Sequence, residues 1–126
     1  MIKTKNLKIG VIGLGYVGLP LAVEFGKKFK TIGFDINKSR IKNLNFGVDH
    51  TKEISNLELS SSRFLTITDN LKEIARCNFY IVTVPTPIYE NKKPNLSLLE
   101  KASTILGNLL SPTIFPFGIY ATWAFP

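Results

Sequence analysis

Apolar residues follow two alternating spacings along this chain. Short, nearly unbroken runs at residues 8–12, 31–34, 64–66 and 79–84 are rich in Ile, Val, Phe and Thr. That is the composition of strands buried on both faces. Between the runs, apolar positions recur every three or four residues, as on one face of a helix. Val17, Leu21, Ala22 and Phe25 predict a helix over about residues 16–28 that ends near Gly26. Pro20 falls in its first turns, where a missing N–H is tolerated. Ile41 and Leu44 predict a second helix, with Asn37 as its N-cap and Gly47 beyond its end. Leu57 and Leu59 support a short helix inside a polar stretch, and Leu71, Ile74 and Ala75 another that begins at Thr68 or Asp69. Leu98, Leu99, Ala102, Ile105 and Leu106 predict a last helix, capped by Asn95 and ending around Leu110. Alternation of strands and helices argues for an α/β fold built on a parallel sheet with helices on its faces.

The first strand runs into three glycines at G-x-G-x-x-G spacing, Gly13, Gly15 and Gly18, and the second strand ends on an acidic residue, Asp35. Each has a task in holding a dinucleotide. Gly13 permits the tight turn off the strand. Gly15, without a side chain, lets a pyrophosphate approach the backbone. Gly18 lets the helix pack closely, and the helix N-terminus offers N–H groups to the phosphate. Strand before, helix after and an acid at this distance give the spacing its meaning and make the sheet Rossmann-like. Asp35 suits the ribose hydroxyls and repels a 2′-phosphate, which favours NAD over NADP. Asn37, Lys38 and Arg40 lie just beyond, and a nearby arginine can accommodate that phosphate, so preference is not settled by Asp35 alone. The fourth strand stops at Pro85-Thr86-Pro87, a loop of fixed shape at the carboxyl ends of the strands, where such folds bind ligands.

Composition narrows the remaining classes. The chain has 126 residues, 44% hydrophobic and 20% charged, which suits one globular domain. No apolar run reaches the roughly 18 residues of a spanning helix, and the start shows no signal-peptide pattern, so no membrane partner is expected. The net charge of +7 comes from scattered lysines, without the blocks or interleaved aromatics of a nucleic-acid surface. Nucleic acid is therefore not an expected partner. A single cysteine, Cys77, excludes an internal disulfide and suits a cytoplasmic setting. Neither Cys77 nor the single histidine, His50, belongs to a metal-ligand pattern, and neither is assigned a catalytic role.

The text Lys8-Ile9-Gly10-Val11-Ile12-Gly13-Leu14-Gly15-Tyr16-Val17-Gly18-Leu19-Pro20-Leu21-Ala22, then Gly33-Phe34-Asp35-Ile36-Asn37 with Arg40, then Tyr80-Ile81-Val82-Thr83-Val84-Pro85-Thr86-Pro87, resembles the nucleotide-sugar 6-dehydrogenases, the UDP-glucose/GDP-mannose dehydrogenase family. Val48-Asp49-His50-Thr51 and the Val-Pro-Thr-Pro loop are most similar to the branch acting on UDP-N-acetylhexosamines. The resemblance covers about residues 7–110. It implies oxidation of a sugar C6 alcohol to a carboxylate in two NAD-dependent steps, with a cysteine from a later domain capturing the aldehyde. It implies cofactor contacts from Gly13, Leu14, Gly15, Tyr16, Val17 and Gly18 at the pyrophosphate. Asp35 and Arg40 would serve the adenosine end, and Val84, Pro85, Thr86 and Pro87 would lie along the cofactor. The UDP-sugar would bind only with the missing domains, and full-length relatives would form homo-oligomers.

After Leu110 the text departs from that family. Residues 111–126 carry no charge, three prolines and the aromatics Phe115, Phe117, Tyr120, Trp123 and Phe125, where the family continues into a strand and Glu-Ser-Thr-Val-Tyr-Pro-Gly. Such text is poor material for a central strand and leaves apolar surface exposed. The expectation is an incomplete domain over residues 1–110 with an aberrant tail, truncated or out of frame from near Ser111. Alternatives are a stand-alone nucleotide-binding or regulatory module docking through that tail, or a nonfunctional gene product.

Overall fold

The computed structural model of the protein describes residues 6–84, 89–93, 95–109 and, for the backbone, 119–121. Among the described residues five strands form one sheet: β1 (Lys8–Ile12), β2 (Lys30–Phe34), β3 (Leu65–Thr68), β4 (Phe79–Val82) and β5 (Ile119–Ala121). The described helices between them are α1 (Gly18–Gly26), α2 (Lys38–Asn45), α3 (Asn56–Ser61), α4 (Leu71–Ile74) and α5 (Ser97–Leu109). The spatial order is β3-β2-β1-β4-β5, and every pairing is parallel. The chain moves outward from β1 to β3, then crosses back to lay β4 on the other side of β1. That reversal is a topological switch point, and ligands of open parallel sheets bind outside the strand carboxyl ends there.

Strand alternation sorts the core into two layers. Ile9, Val11 and Ile81 face α1 and α2, where Leu19, Ala22, Val23, Ile41 and Leu44 close over them. Ile12, Phe34, Tyr80 and Val82 face the opposite side and meet Ile74, Cys77, Ala102 and Leu106 from α4, α5 and the adjoining turn. Both sheet faces are covered, the reason β1 and β4 read as unbroken apolar runs. Tyr80 lies opposite Gly10 in the β1–β4 register, and its ring would be within 3.1 Å of any Cβ at Gly10. The Tyr80 hydroxyl donates to the Ile74 carbonyl at 2.9 Å, which satisfies a polar group on a residue only 1% exposed.

Several boundaries moved by a few residues. The first helix is shorter than expected because residues 13–17 are spent on the turn, and Gly26 closes on the segment after α3, where a Cβ would overlap Ser62. The third strand is Leu65–Thr68, later than the apolar text suggested, because its register follows Thr31 to Phe34 of β2. Helix α4 begins at Leu71 rather than at Thr68 or Asp69, and Asn70 caps it by accepting from Lys72 N. Thr68 Oγ1 instead accepts from Asn70 N. Asn37 caps α2 as expected, and α3 is closed by a capping box between Ser55 and Glu58. Within the tail, Ile119–Ala121 pair with Tyr80 to Val82 at the sheet edge. An edge strand needs one partner only, and Pro116 and Pro126 both fall outside those three residues.

Candidate cofactor site

The turn between β1 and α1 is defined by what its glycines exclude. Gly13 has φ +98°, and a Cβ there would meet the Thr83 carbonyl oxygen at 2.6 Å. A Cβ at Gly18 would overlap the Gly13 carbonyl and Thr83 Oγ1. Both glycines are thus demanded by the fold itself. Gly15 differs, because a Cβ there would meet nothing within 4 Å among the described residues. Its surroundings are open on the protein side, at the place where the motif brings a pyrophosphate closest. The α1 N-cap, Val17, makes no side-chain capping bond, and no acidic residue occupies the first turn, so an anion meets no competitor there.

Side chains from other elements fix this turn. Thr83, immediately after β4, is 2% exposed and donates through Oγ1 to the Gly13 carbonyl at 2.6 Å. Asp35 Oδ2 accepts from Leu14 N at 2.9 Å, and Asp35 Oδ1 accepts from Asn37 N at 2.9 Å. An ionised carboxylate has about four acceptor positions, so this leaves roughly two for ribose hydroxyls. Arg40 approaches from α2: its Nε donates to the Leu14 carbonyl at 2.8 Å and its Nη1 to Asp49 Oδ1 at 2.7 Å.

A cavity of about 320 Å³ opens beside the turn at the carboxyl ends of β1, β2 and β4. Ile12, Gly13, Leu14 and Gly15 line one wall, Phe34, Asp35, Ile36 and Asn37 a second, and Val84 with α5 residues Leu98, Lys101, Ala102 and Ile105 the third. Of the residues read from sequence, Gly13, Leu14, Gly15, Asp35 and Val84 therefore share one cavity. Tyr16 is 56% exposed at the turn's outer edge, Val17 and Gly18 begin α1, and Arg40 stands behind Leu14 rather than in the cavity wall. Pro85, Thr86 and Pro87 lie outside the described residues. Sequence reading missed Thr83 and the α5 wall. Thr83 was legible only as a strand residue, and α5 only as an amphipathic helix, since the approach of residues so distant in sequence leaves no local signal.

The single thiol is inert in this setting. Burial pushes the Cys77 thiol up to about 12, against a downward pull from Lys8 and Lys30. It lies away from the cavity and is 1% exposed, which suits packing rather than nucleophilic attack. Among the described residues no three His, Cys, Asp or Glu side chains gather as a metal site, and no helix is long and apolar enough to cross a membrane.

The sequence profile of the UDP-glucose/GDP-mannose dehydrogenase family, NAD binding domain, matches residues 7–113. The chain belongs to that family and carries its NAD-binding domain. It is 55% identical over 106 residues to a UDP-N-acetyl-D-glucosamine 6-dehydrogenase of Pseudomonas aeruginosa, covering 84% of this chain and 25% of that protein. Identity to the UDP-N-acetyl-D-glucosamine 6-dehydrogenase of Salmonella typhi is 51% over 111 residues, 88% of this chain and 26% of that one. Among solved structures, the UDP-D-ManNAc dehydrogenase of Pyrococcus horikoshii superposes with a TM-score of 0.78 at 33% identity, covering 92% of this chain and 28% of the other. The chain thus spans about a quarter of the length of these relatives. It corresponds to their NAD-binding portion.

Proposed function

We propose that the chain binds NAD across its glycine turn, as the cofactor-holding part of a UDP-N-acetylhexosamine 6-dehydrogenase that works in the cytoplasm. The observation that carries this reading is the open face of Gly15 between two glycines that the fold requires. A side chain there would meet none of the described residues, so the bare backbone is explained by a ligand that needs the space. When bound, NAD supplies the hydride acceptor for oxidation of an alcohol carbon.

The residues divide the holding task. Gly13, Leu14, Gly15, Tyr16, Val17 and Gly18 present backbone to the pyrophosphate, and the remaining Asp35 acceptor positions take the ribose hydroxyls. Ile36, Leu98, Ala102 and Ile105 give the adenine a largely apolar slot. Val84 takes the next contact along the cofactor, and the family resemblance implies the same role for Pro85, Thr86 and Pro87. Arg40 supports NAD over NADP in this account. Its Nε and Nη1 are committed to Leu14 and Asp49, and the side chain is buried behind Leu14 rather than in the cavity wall where a 2′-phosphate would lie. The UDP-sugar and the cysteine that captures its aldehyde belong to sequence outside residues 7–113, and assembly as a homo-oligomer belongs to the full-length enzyme.

Calorimetric titration of the purified chain with NAD and with NADP tests the reading. Saturable heat is expected with NAD and a much weaker response with NADP. Gly15→Ala is expected to lose NAD binding while keeping the fold. No heat with either nucleotide on folded protein refutes the proposal. A turnover assay with UDP-N-acetylglucosamine and NAD is expected to give no NADH from this chain alone.

A further inference from the structure

We propose that Asp49 is a positioning residue for the glycine turn and acts through Arg40. The inference rests on the cofactor reading above and adds a residue that lies outside every glycine-motif position. Leu14, between Gly13 and Gly15, has both backbone polar groups held by side chains: its N–H by Asp35 at 2.9 Å and its carbonyl by Arg40 Nε at 2.8 Å. The second grip depends on how Arg40 is itself held. Its side chain is 10% exposed, its Nη1 donates to Asp49 Oδ1 at 2.7 Å, and its Nη2 is buried without a partner among the described residues. A guanidinium already short of one acceptor has little else to hold it inside.

Asp49 is well built for that purpose. Its side chain is 1% exposed, and besides Arg40 it accepts from Thr51 N at 3.0 Å, Thr51 Oγ1 at 2.6 Å, and the backbone N–H groups of Glu53 and Ile54 at 2.9 Å each. Five donors on two oxygens fix the carboxylate in place, and a fixed carboxylate fixes the plane of the guanidinium it pairs with. Nε is then aimed at the Leu14 carbonyl without a further choice of rotamer. The loop after α2 is thereby coupled to the surface that receives the pyrophosphate. Without the carboxylate, a long cationic side chain regains its favourable exit toward water and releases Leu14.

Asp49→Asn in the full chain tests this, read by NAD calorimetry and by amide hydrogen exchange at Leu14, with Val11 in β1 as the internal control. NAD affinity is expected to fall roughly tenfold, the loss of one charge-assisted contact. Leu14 exchange should accelerate while Val11 is unchanged. Arg40→Lys keeps a cation beside Asp49 but has no Nε, and should give the same two losses even if Asp49→Asn does not fold. The double variant should lose no more than either single one. Folded Asp49→Asn with native Leu14 exchange and native NAD affinity overturns the proposal and reduces Asp49 to a tie within its own loop, as do losses that simply add. Should the native chain take up no NAD, the cofactor reading falls, and Leu14 exchange in Asp49→Asn and Arg40→Lys still decides the positioning role.

Discussion

Gly13, Gly15 and Gly18 share a motif but differ in what holds them glycine, and substitution separates them. Gly13→Ala forces a side chain into a positive-φ position against the Thr83 carbonyl, and is expected to cost about 2–3 kcal/mol by urea denaturation. Gly15→Ala meets open space among the described residues and is expected to leave stability within about 0.5 kcal/mol while weakening NAD at least ~10-fold. Asp49 makes a prediction in pH. Burial raises its pKa, but hydrogen bonds from Thr51, Arg40 and the backbone of Ile54 outweigh it and bring the group from 3.8 to about 2. A depressed folded-state pKa stabilises the fold above the unfolded value and is lost as pH falls through the folded one. Stability should therefore drop by about 2 kcal/mol between roughly pH 4 and 2, and Asp49→Asn should flatten that limb of an acid-unfolding curve. Cys77, neutral and buried, should react with an aromatic disulfide reagent only at the rate of unfolding.

At the scale of elements, the helices around the site are capped unequally. Asn37 accepts from Arg40 N at 3.1 Å, and its own N–H rests on Asp35, so one residue ends β2's turn and starts α2. Asn37→Ala should cost about 1 kcal/mol of stability in urea denaturation. Because α2 carries Arg40, it should also lower NAD affinity modestly. Helix α1 has no such cap, and its first turn remains available to an anion. The α5 helix serves both the core and the cavity. Ala102 is 3% exposed and packs against the layer of Phe34 and Val82, while Leu98 and Lys101 extend along the cavity wall. Docking of α5 on the sheet therefore completes a binding surface that β1 and β2 only begin.

For the molecule as a whole, ligand linkage gives the broadest check. A nucleotide that binds only the folded chain should raise its stability by about 2.7 kcal/mol at 100 times its dissociation constant, read as a shift of the thermal midpoint. NAD should produce the shift in the native chain and not in Gly15→Ala. What the sequence by itself determined was the local part of this protein: the strand-turn-helix at residues 8–26, the acid ending β2, the Asn37 cap and the family kinship. Each depends on residues near one another in the chain, where period, φ preference and hydrogen-bonding chemistry act directly. The tertiary structure alone decided that β4 returns to the far side of β1, that Thr83 pins Gly13, that α5 walls the cavity and that Arg40 is locked behind Leu14 by Asp49. Those contacts join residues from 9 to about 90 positions apart and depend on which sheet face and which strand end each element reaches. Packing both faces of a twisted parallel sheet sets that choice, and no local spacing records it.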